Sequence, residues 1–466
     1  MPSWCGACAA FATPSRPTPA SSGRSAPASP PCAPTSTPHS QRHATCAARS
    51  THDRLPPVSQ PHPLMPAQRT PLVTLLAVNI LSLTGNALTW IALPWFVYEI
   101  TGSATRTGLV GAVTGLATVV AAFAGAPIVD RIGHKRTSII ADLLSGLSVV
   151  SIPLLHQTIG IEFWQLLGLA FLGAFLDAPG ATARDALLPD AIAAARTTPE
   201  RANSAYQAVS YGSEVLGPLL AGALIVWVGA SNVLLFDAAT FALSALGVAL
   251  FVPANRATKD VSTARRTYVV DIATGLRFVS SRPLLRALAG ANFLTNFIGA
   301  PLFTVVLLIV VEAEYDSASV LGLLIASGGV GLVVGSLLYG AFGHRLPRRG
   351  TFLVSFAAFG LQLWLVALTP PAALLAITFF LRGAVTAPYN PLTMTLFQER
   401  TPADLRGRVF GTLTALSLAG MPLGFLAGGA LVEQFGSTAT LLVMAGAYAV
   451  ATAWLLVTPA LRGMDR

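Results

Sequence analysis

Gly125-Ala-Pro-Ile-Val-Asp-Arg-Ile-Gly-His-Lys-Arg136 and Gly335-Ser-Leu-Leu-Tyr-Gly-Ala-Phe-Gly-His-Arg-Leu346 place Gly, Gly and His in one register, 210 residues apart (125 to 335). Each is a short basic turn between two long apolar segments. A membrane protein built from two similar helical halves carries this pattern, which points to transport.

The segments around the two turns extend the reading to most of the chain. Of 466 residues, 53% are hydrophobic and 11% charged, and the mean hydropathy is +0.65. A soluble domain carries about 25% charged residues. A spanning helix needs roughly 20 apolar residues. Twelve such windows follow residue 70: 71–97, 106–129, 137–155, 163–183, 204–228, 232–253, 285–311, 318–341, 350–369, 372–395, 408–430 and 437–459. The expected fold is an all-α integral membrane bundle of twelve helices in two pseudo-symmetric halves. The halves cover 70–253 and 285–460, joined by a cytoplasmic linker over 254–284 and followed by a short tail, 461–466.

Residues 1–69 differ in kind. Up to residue 64, Pro, Ser, Ala, Thr and Arg dominate, with Asp53 as the single acid and no Lys. Such a composition buries too little apolar surface to fold. Met65 reads as the functional start, and the preceding segment as an over-extended reading frame. All four cysteines, Cys5, Cys8, Cys32 and Cys46, lie in this tail. With His39 and His43 they match no compact zinc spacing, and no metal or other cofactor is expected.

Cation placement sets the orientation. After Arg69 the chain has 23 basic residues, and with a cytoplasmic N-terminus 21 fall in inside loops or the C-terminus. Arg106 lies outside and Arg382 within a helix. The positive-inside rule is then obeyed at every loop, with both termini cytoplasmic. The basic balance needs no nucleic acid to explain it.

The turn Ala126-Pro-Ile-Val-Asp-Arg-Ile-Gly-His-Lys-Arg136 resembles the loop signature of the major facilitator superfamily, Gly-x-Leu-x-Asp-Arg-x-Gly-Arg-Lys-Arg, with Ala126 in place of the first Gly. The stretches Ala183-Arg-Asp-Ala-Leu-Leu-Pro-Asp190 and Arg400-Thr-Pro-Ala-Asp-Leu-Arg-Gly-Arg-Val-Phe-Gly411 are similar to loops of bacterial drug, macrolide and siderophore exporters within it. Gly212-Ser-Glu-Val-Leu-Gly-Pro-Leu-Leu-Ala-Gly222 resembles the Gly-Pro motif of drug/proton antiporters, with a counterpart in Met421-Pro-Leu-Gly-Phe-Leu-Ala-Gly-Gly429. The resemblance implies export in exchange for protons. It also implies that Asp130, Arg131, Gly133, Lys135 and Arg136 form a cytoplasmic gate, with Asp130 set against the positive N-terminus of the eleventh span. The second copy of the turn has Gly340 where Asp130 would fall, so the gate is asymmetric. Gly111/Gly115, Gly331/Gly335 and Gly424/Gly428 have the spacing of close helix contacts.

Polar groups within a span are costly unless they face protein or water. Asn79, Asn86 and Trp90 share one face of the first span, and Asn292 and Asn296 one face of the seventh. The resemblance implies that the fourth and tenth spans also line the cavity, adding Asp177, Arg382, Tyr389 and Asn390. Four acids fall inside spans. Asp142 and Asp237 lie near span ends, where a solvated or capping role is expected. Asp177 and Glu214 are the expected proton carriers, because access switching can load and unload a carboxylate in a low-dielectric cavity. The competing static role for Asp177 is a salt bridge to Arg382.

The expected function is secondary active efflux of small amphipathic molecules, drug-like or siderophore-like, by a monomer exchanging substrate for protons among membrane lipids. An importer of a nutrient or metabolite is the alternative, and a non-transporting sensor a weaker one. The sequence offers no catalytic constellation and no Gly-x-x-x-x-Gly-Lys-Ser/Thr loop for nucleotide, so an enzyme is not expected and an ion gradient must supply the energy. The excess of Arg over Lys points to a GC-rich bacterial genome and hence a bacterial plasma membrane.

Overall fold

The computed structural model describes residues 69–253, 268–402 and 405–465; the side chains of 122–128, 130, 131, 200, 268–272 and 465 lie outside the description. Every regular element among the described residues is helical. They are α1 (Thr70–Thr101), α2 (Ala104–Ile132), α3 (His134–Thr158), α4 (Phe163–Ala195), α5 (Pro199–Val228), α6 (Ala230–Phe251), α7 (Tyr268–Ser281), α8 (Pro283–Pro301), α9 (Leu307–Tyr315), α10 (Ala318–Phe342), α11 (Arg348–Ala367), α12 (Ala372–Thr386), α13 (Tyr389–Arg400) and α14 (Arg406–Val457). A π-helical turn, Leu302–Val306, joins α8 to α9 within one span.

Among the described residues, eleven stretches are long and apolar enough to cross a membrane. The last, α14, has 52 residues. At about 1.5 Å per residue it would extend about 78 Å, more than twice a hydrocarbon core of about 30 Å. Its resolution lies at Gly436, whose φ of 81° and ψ of 166° are not helical. A Cβ would strain that conformation, and the residue breaks α14 into an eleventh and a twelfth span. Gly229, with φ 84° and ψ 152°, joins α5 to α6 in the same way, so the two corresponding turns use one residue each.

Local chemistry sets the other ends. Ser103 accepts a hydrogen bond from the Arg106 amide and Thr198 from the Arg201 amide, as N-cap hydroxyls do. The side chains of Glu162 and Gln165 form a capping box at the start of α4.

The surface is apolar in the manner of a lipid-facing bundle: Leu147, Val226, Leu250, Leu337 and Val450 are all more than half exposed. Helices α1 to α6 pack on one another, and α8 to α14 do likewise. The three glycine pairs sit at helix contacts. A methyl on Gly331 or Gly335 would strike the α12 backbone, one on Gly424 the backbone of α8, and one on Gly111 the ring of Phe425. The linker expected over 254–284 contains a helix of its own, α7, and the next span begins at Pro283.

Candidate transport cavity and its charge network

The two groups of helices meet through α2 against α14 and α5 against α10. Their close approaches fall near the end that the charge pattern assigns to the outside. There Gly108 faces the Phe425 carbonyl and Gly429, and Gly222 faces Ala318 and Gly322. Glu433 also accepts hydrogen bonds from the Ser103 hydroxyl and the Thr105 amide, both 3.1 Å. A carboxylate thus sits on the positive N-terminus of α2. Toward the other end, Gly212, Gly340 and Gly411 have no atom within 4 Å of where a Cβ would sit.

The first group carries a buried charge network organised by one face of α1. Ser82, Asn86 and Thr89, at i, i+4 and i+7, share that face. The Arg184 guanidinium donates to the Ser82 hydroxyl at 2.9 Å, the Asn86 amide donates to Asp177 at 2.9 Å, and the Thr89 hydroxyl donates to Asp237 at 2.5 Å. Arg184 also donates to Asp142 at 2.5 Å, and Asp142 accepts from Ser244 at 2.6 Å. Asp177 lies 3.9 Å from Arg184 and keeps 16% of its side chain exposed.

Three expectations are corrected by this network. Asp142 and Asp237 are not solvated span-end residues, since their exposures are 0% and 1%. Arg184, counted among the loop cations, is 4% exposed inside α4. Asp177 pairs with Arg184 rather than with Arg382. The carboxylates do not converge on a metal: among the described residues no group of three or more His, Cys, Asp or Glu could hold one.

The second group holds Arg382 differently. Its guanidinium lies over the rings of Phe303, Phe359 and Phe379, with centroids at 5.3, 5.5 and 5.7 Å. The π-helical turn after Pro301 contains Phe303, and such turns gather at functional sites. No acid among the described residues is within ion-pair distance of Arg382, and its Nε has no hydrogen-bond partner. Tyr389, expected in the cavity, is buried in an aromatic row with Phe352 and Phe356. Tyr448 continues that row and donates to Thr295 at 2.9 Å.

The paired amides do not behave alike. Asn296 bonds back to the Asn292 carbonyl on its own helix at 2.9 Å, and Asn292 donates to Ser417 at 2.5 Å. Asn79 is buried and accepts from Tyr206, which also bonds Asp185. Trp90 and Asn390 are half-buried, and Glu214 is exposed on α5.

In the motif turn, Gly133 adopts φ 91°. Lys135 donates to the Ala249 and Val252 carbonyls at 2.8 and 2.6 Å, a cation on the negative C-terminus of α6. Arg136 is exposed, while the side chains of Asp130 and Arg131 lie outside the described residues, as do the four cysteines.

Sequence reading missed Arg184, Thr89, Asp237, Tyr206 and Glu433 as participants. A signal was available for Thr89, Arg184 and Asp237: Ser82, Asn86 and Thr89 form a polar face on the first span, and such a face in lipid requires buried partners.

Twelve spans, close contacts between helix groups at one end and a polar interior define a secondary transporter of the alternating-access kind, and the chain belongs to the Major Facilitator Superfamily. The profile of that family matches twice, over residues 75–309 and 292–463. The multidrug efflux pump Tap of Mycolicibacterium fortuitum is 31% identical over 401 residues, covering 85% of this chain and 98% of that protein. Tap of Mycobacterium tuberculosis is 32% identical, covering 86% and 96%. The enterobactin exporter EntS of Citrobacter koseri is 26% identical, covering 74% and 81%. The nucleoside transporter NupG has the same fold, with a TM-score of 0.68 at 13% identity, covering 83% of this chain and 98% of its own.

Proposed function

We propose that this chain is a proton-coupled exporter of small amphipathic molecules, drugs among them, in a bacterial plasma membrane. The observation that carries the reading is Asp177, a partly exposed carboxylate within the first helix group, held by Asn86 and poised 3.9 Å from Arg184. Drug export is supported by the relatives known as multidrug efflux pumps, which match along nearly their whole length. The protein works as a monomer among membrane lipids, with both termini cytoplasmic. The helices of 70–253 and 285–460 act as two rocking bodies. In the transport cycle a cytoplasm-facing state takes up cargo and releases the Asp177 proton.

Ethidium, a fluorescent lipophilic cation, serves as the probe. In inside-out membrane vesicles acidified within, the protein should accumulate ethidium and release protons, and Asp177→Asn should do neither above empty vesicles. Ethidium indifferent to the gradient, or a variant as active as its parent, overturns the reading.

The motif turn is the cytoplasmic gate, with Asp130 meeting the N-terminus of α14 when that side closes. Asp130→Asn is expected to cut transport while leaving expression intact; unchanged transport would remove the role.

A further inference from the structure

Three carboxyl groups share the buried network with one guanidinium. Arg184 lies 2.5 Å from Asp142 and 3.9 Å from Asp177. Asp237 has no cation within ion-pair distance among the described residues. Its surroundings are hydroxyls and bare backbone. Thr89 donates to one oxygen at 2.5 Å, and Thr240 lies 3.3 Å from the other. Gly85 leaves the space on α1 that a methyl would otherwise take from Oδ1.

A threonine hydroxyl offers one donor and two acceptor lone pairs. It can donate to a carboxylate or, turned, accept from a carboxylic acid. The Thr89 hydroxyl can therefore serve Asp237 in either protonation state, as can that of Thr240, which also donates to the Asp237 carbonyl at 2.8 Å, whereas Asp142, bonded to a permanent cation, is served only as a carboxylate. The groups facing Asp237 are Thr89 and Gly85 from α1, Asp177 from α4 with Arg184 beyond it, and Thr240 from its own helix. On α5, Tyr211 and Glu214 are exposed and Tyr206 is bonded to Asp185.

The α1 face sets these groups in order, with Ser82 at Arg184, Asn86 at Asp177 and Thr89 at Asp237. At about 1.5 Å per residue the steps cover about 10 Å along the helix. With α1 running outward, Asp237 is the outermost.

We infer that Asp237 is a second proton-binding carboxyl of the transport cycle, the outer step of a path whose next step is Asp177. The inference rests on the proton-coupled reading for its role in transport, though not for its chemistry. When the proton passes, an O–H bond breaks at Asp237 and one forms at Asp177. The network as a whole exchanges protons only with water.

Infrared titration of the full-length protein in lipid vesicles, without substrate, tests the assignment by counting protonated carboxyl bands. Asp237→Asn should remove one titrating band that Asp177→Asn retains, and Asp237→Glu should restore it at a shifted frequency. If Asp237→Asn fails to fold, Thr89→Val should displace the midpoint of that band. A full set of bands in Asp237→Asn, or an unmoved midpoint in Thr89→Val, overturns the inference. A titrating Asp237 band in a protein that moves no ethidium leaves the proton-binding chemistry of Asp237 standing and sinks the exporter reading, and with it the role in transport.

Discussion

The two helix groups share an ancestral pattern and differ in how they hold charge. In α1 to α6, three carboxyls and a guanidinium sit inside the bundle, stitched together by hydroxyls and an amide of α1. In α8 to α14, Arg382 lies among three phenylalanine rings, with no acid beside it among the described residues. A hydrogen-bonded network of titratable groups can take up and release protons. A guanidinium framed by aromatic faces is held by its quadrupole contacts and has charge left to offer a ligand. On the proton-coupled function proposed above, coupling falls to the first group and cargo contact to the second.

The sharpest way to break this comparison is to strip the first group of its cation. Arg184→Ala leaves Asp142 buried without its cation, held by Ser244 alone, and should lower stability by about 3–5 kcal/mol, read from thermal unfolding in detergent. Replacing both members with apolar residues should recover much of that loss. A mild effect of Arg184→Ala alone would mean that the network tolerates uncompensated charge.

A smaller effect is expected for Asp177→Asn. Proton-driven ethidium transport should fall at least about tenfold, equivalent to about 1.4 kcal/mol, with the unfolding temperature little changed. A variant that loses stability instead would turn Asp177 into a structural residue.

On the other side, Arg382→Ala forfeits its ring contacts, about 0.5–2 kcal/mol of stability. Arg382→Lys should retain part of this. The prediction that sharpens the contrast is that Arg382→Lys changes the range of compounds transported while leaving the proton count per turnover alone.

The mildest change concerns the contact between the groups. Glu433→Ala removes an exposed carboxylate from the α2 N-terminus, where such a charge contributes about 0.3–1 kcal/mol. The share of molecules open to the outside should rise by a small factor, measurable from spin-label distances across the outer ends of α2 and α14.

The hydropathy profile reported the spans well because burial in lipid acts on whole segments. It failed where a charge is satisfied inside protein. The fourth window stops at residue 183, just before Arg184, yet α4 runs on to Ala195. A guanidinium bonded to Asp142 and Ser82 is no longer a cation seeking water, so it need not end a span. The same error put Asp142 and Asp237 at wet boundaries. Pairing across elements was harder still: Lys135 reads as one more loop cation until α6 is seen to end beneath it. Glu433 reads as a surface acid until Ser103 is placed opposite, 330 residues away in sequence.

Gly436 lies three residues beyond Glu433 and is the sole joint between the last two spans. A one-residue joint has no slack. Any tilt of the eleventh span when Glu433 releases α2 must drag the twelfth along by nearly the same amount, as a rigid coupling rod would. The outer surface at that turn offers neither a loop for a protease to cut nor room for an inserted tag, and lengthening the joint should uncouple the stroke of one helix from the next.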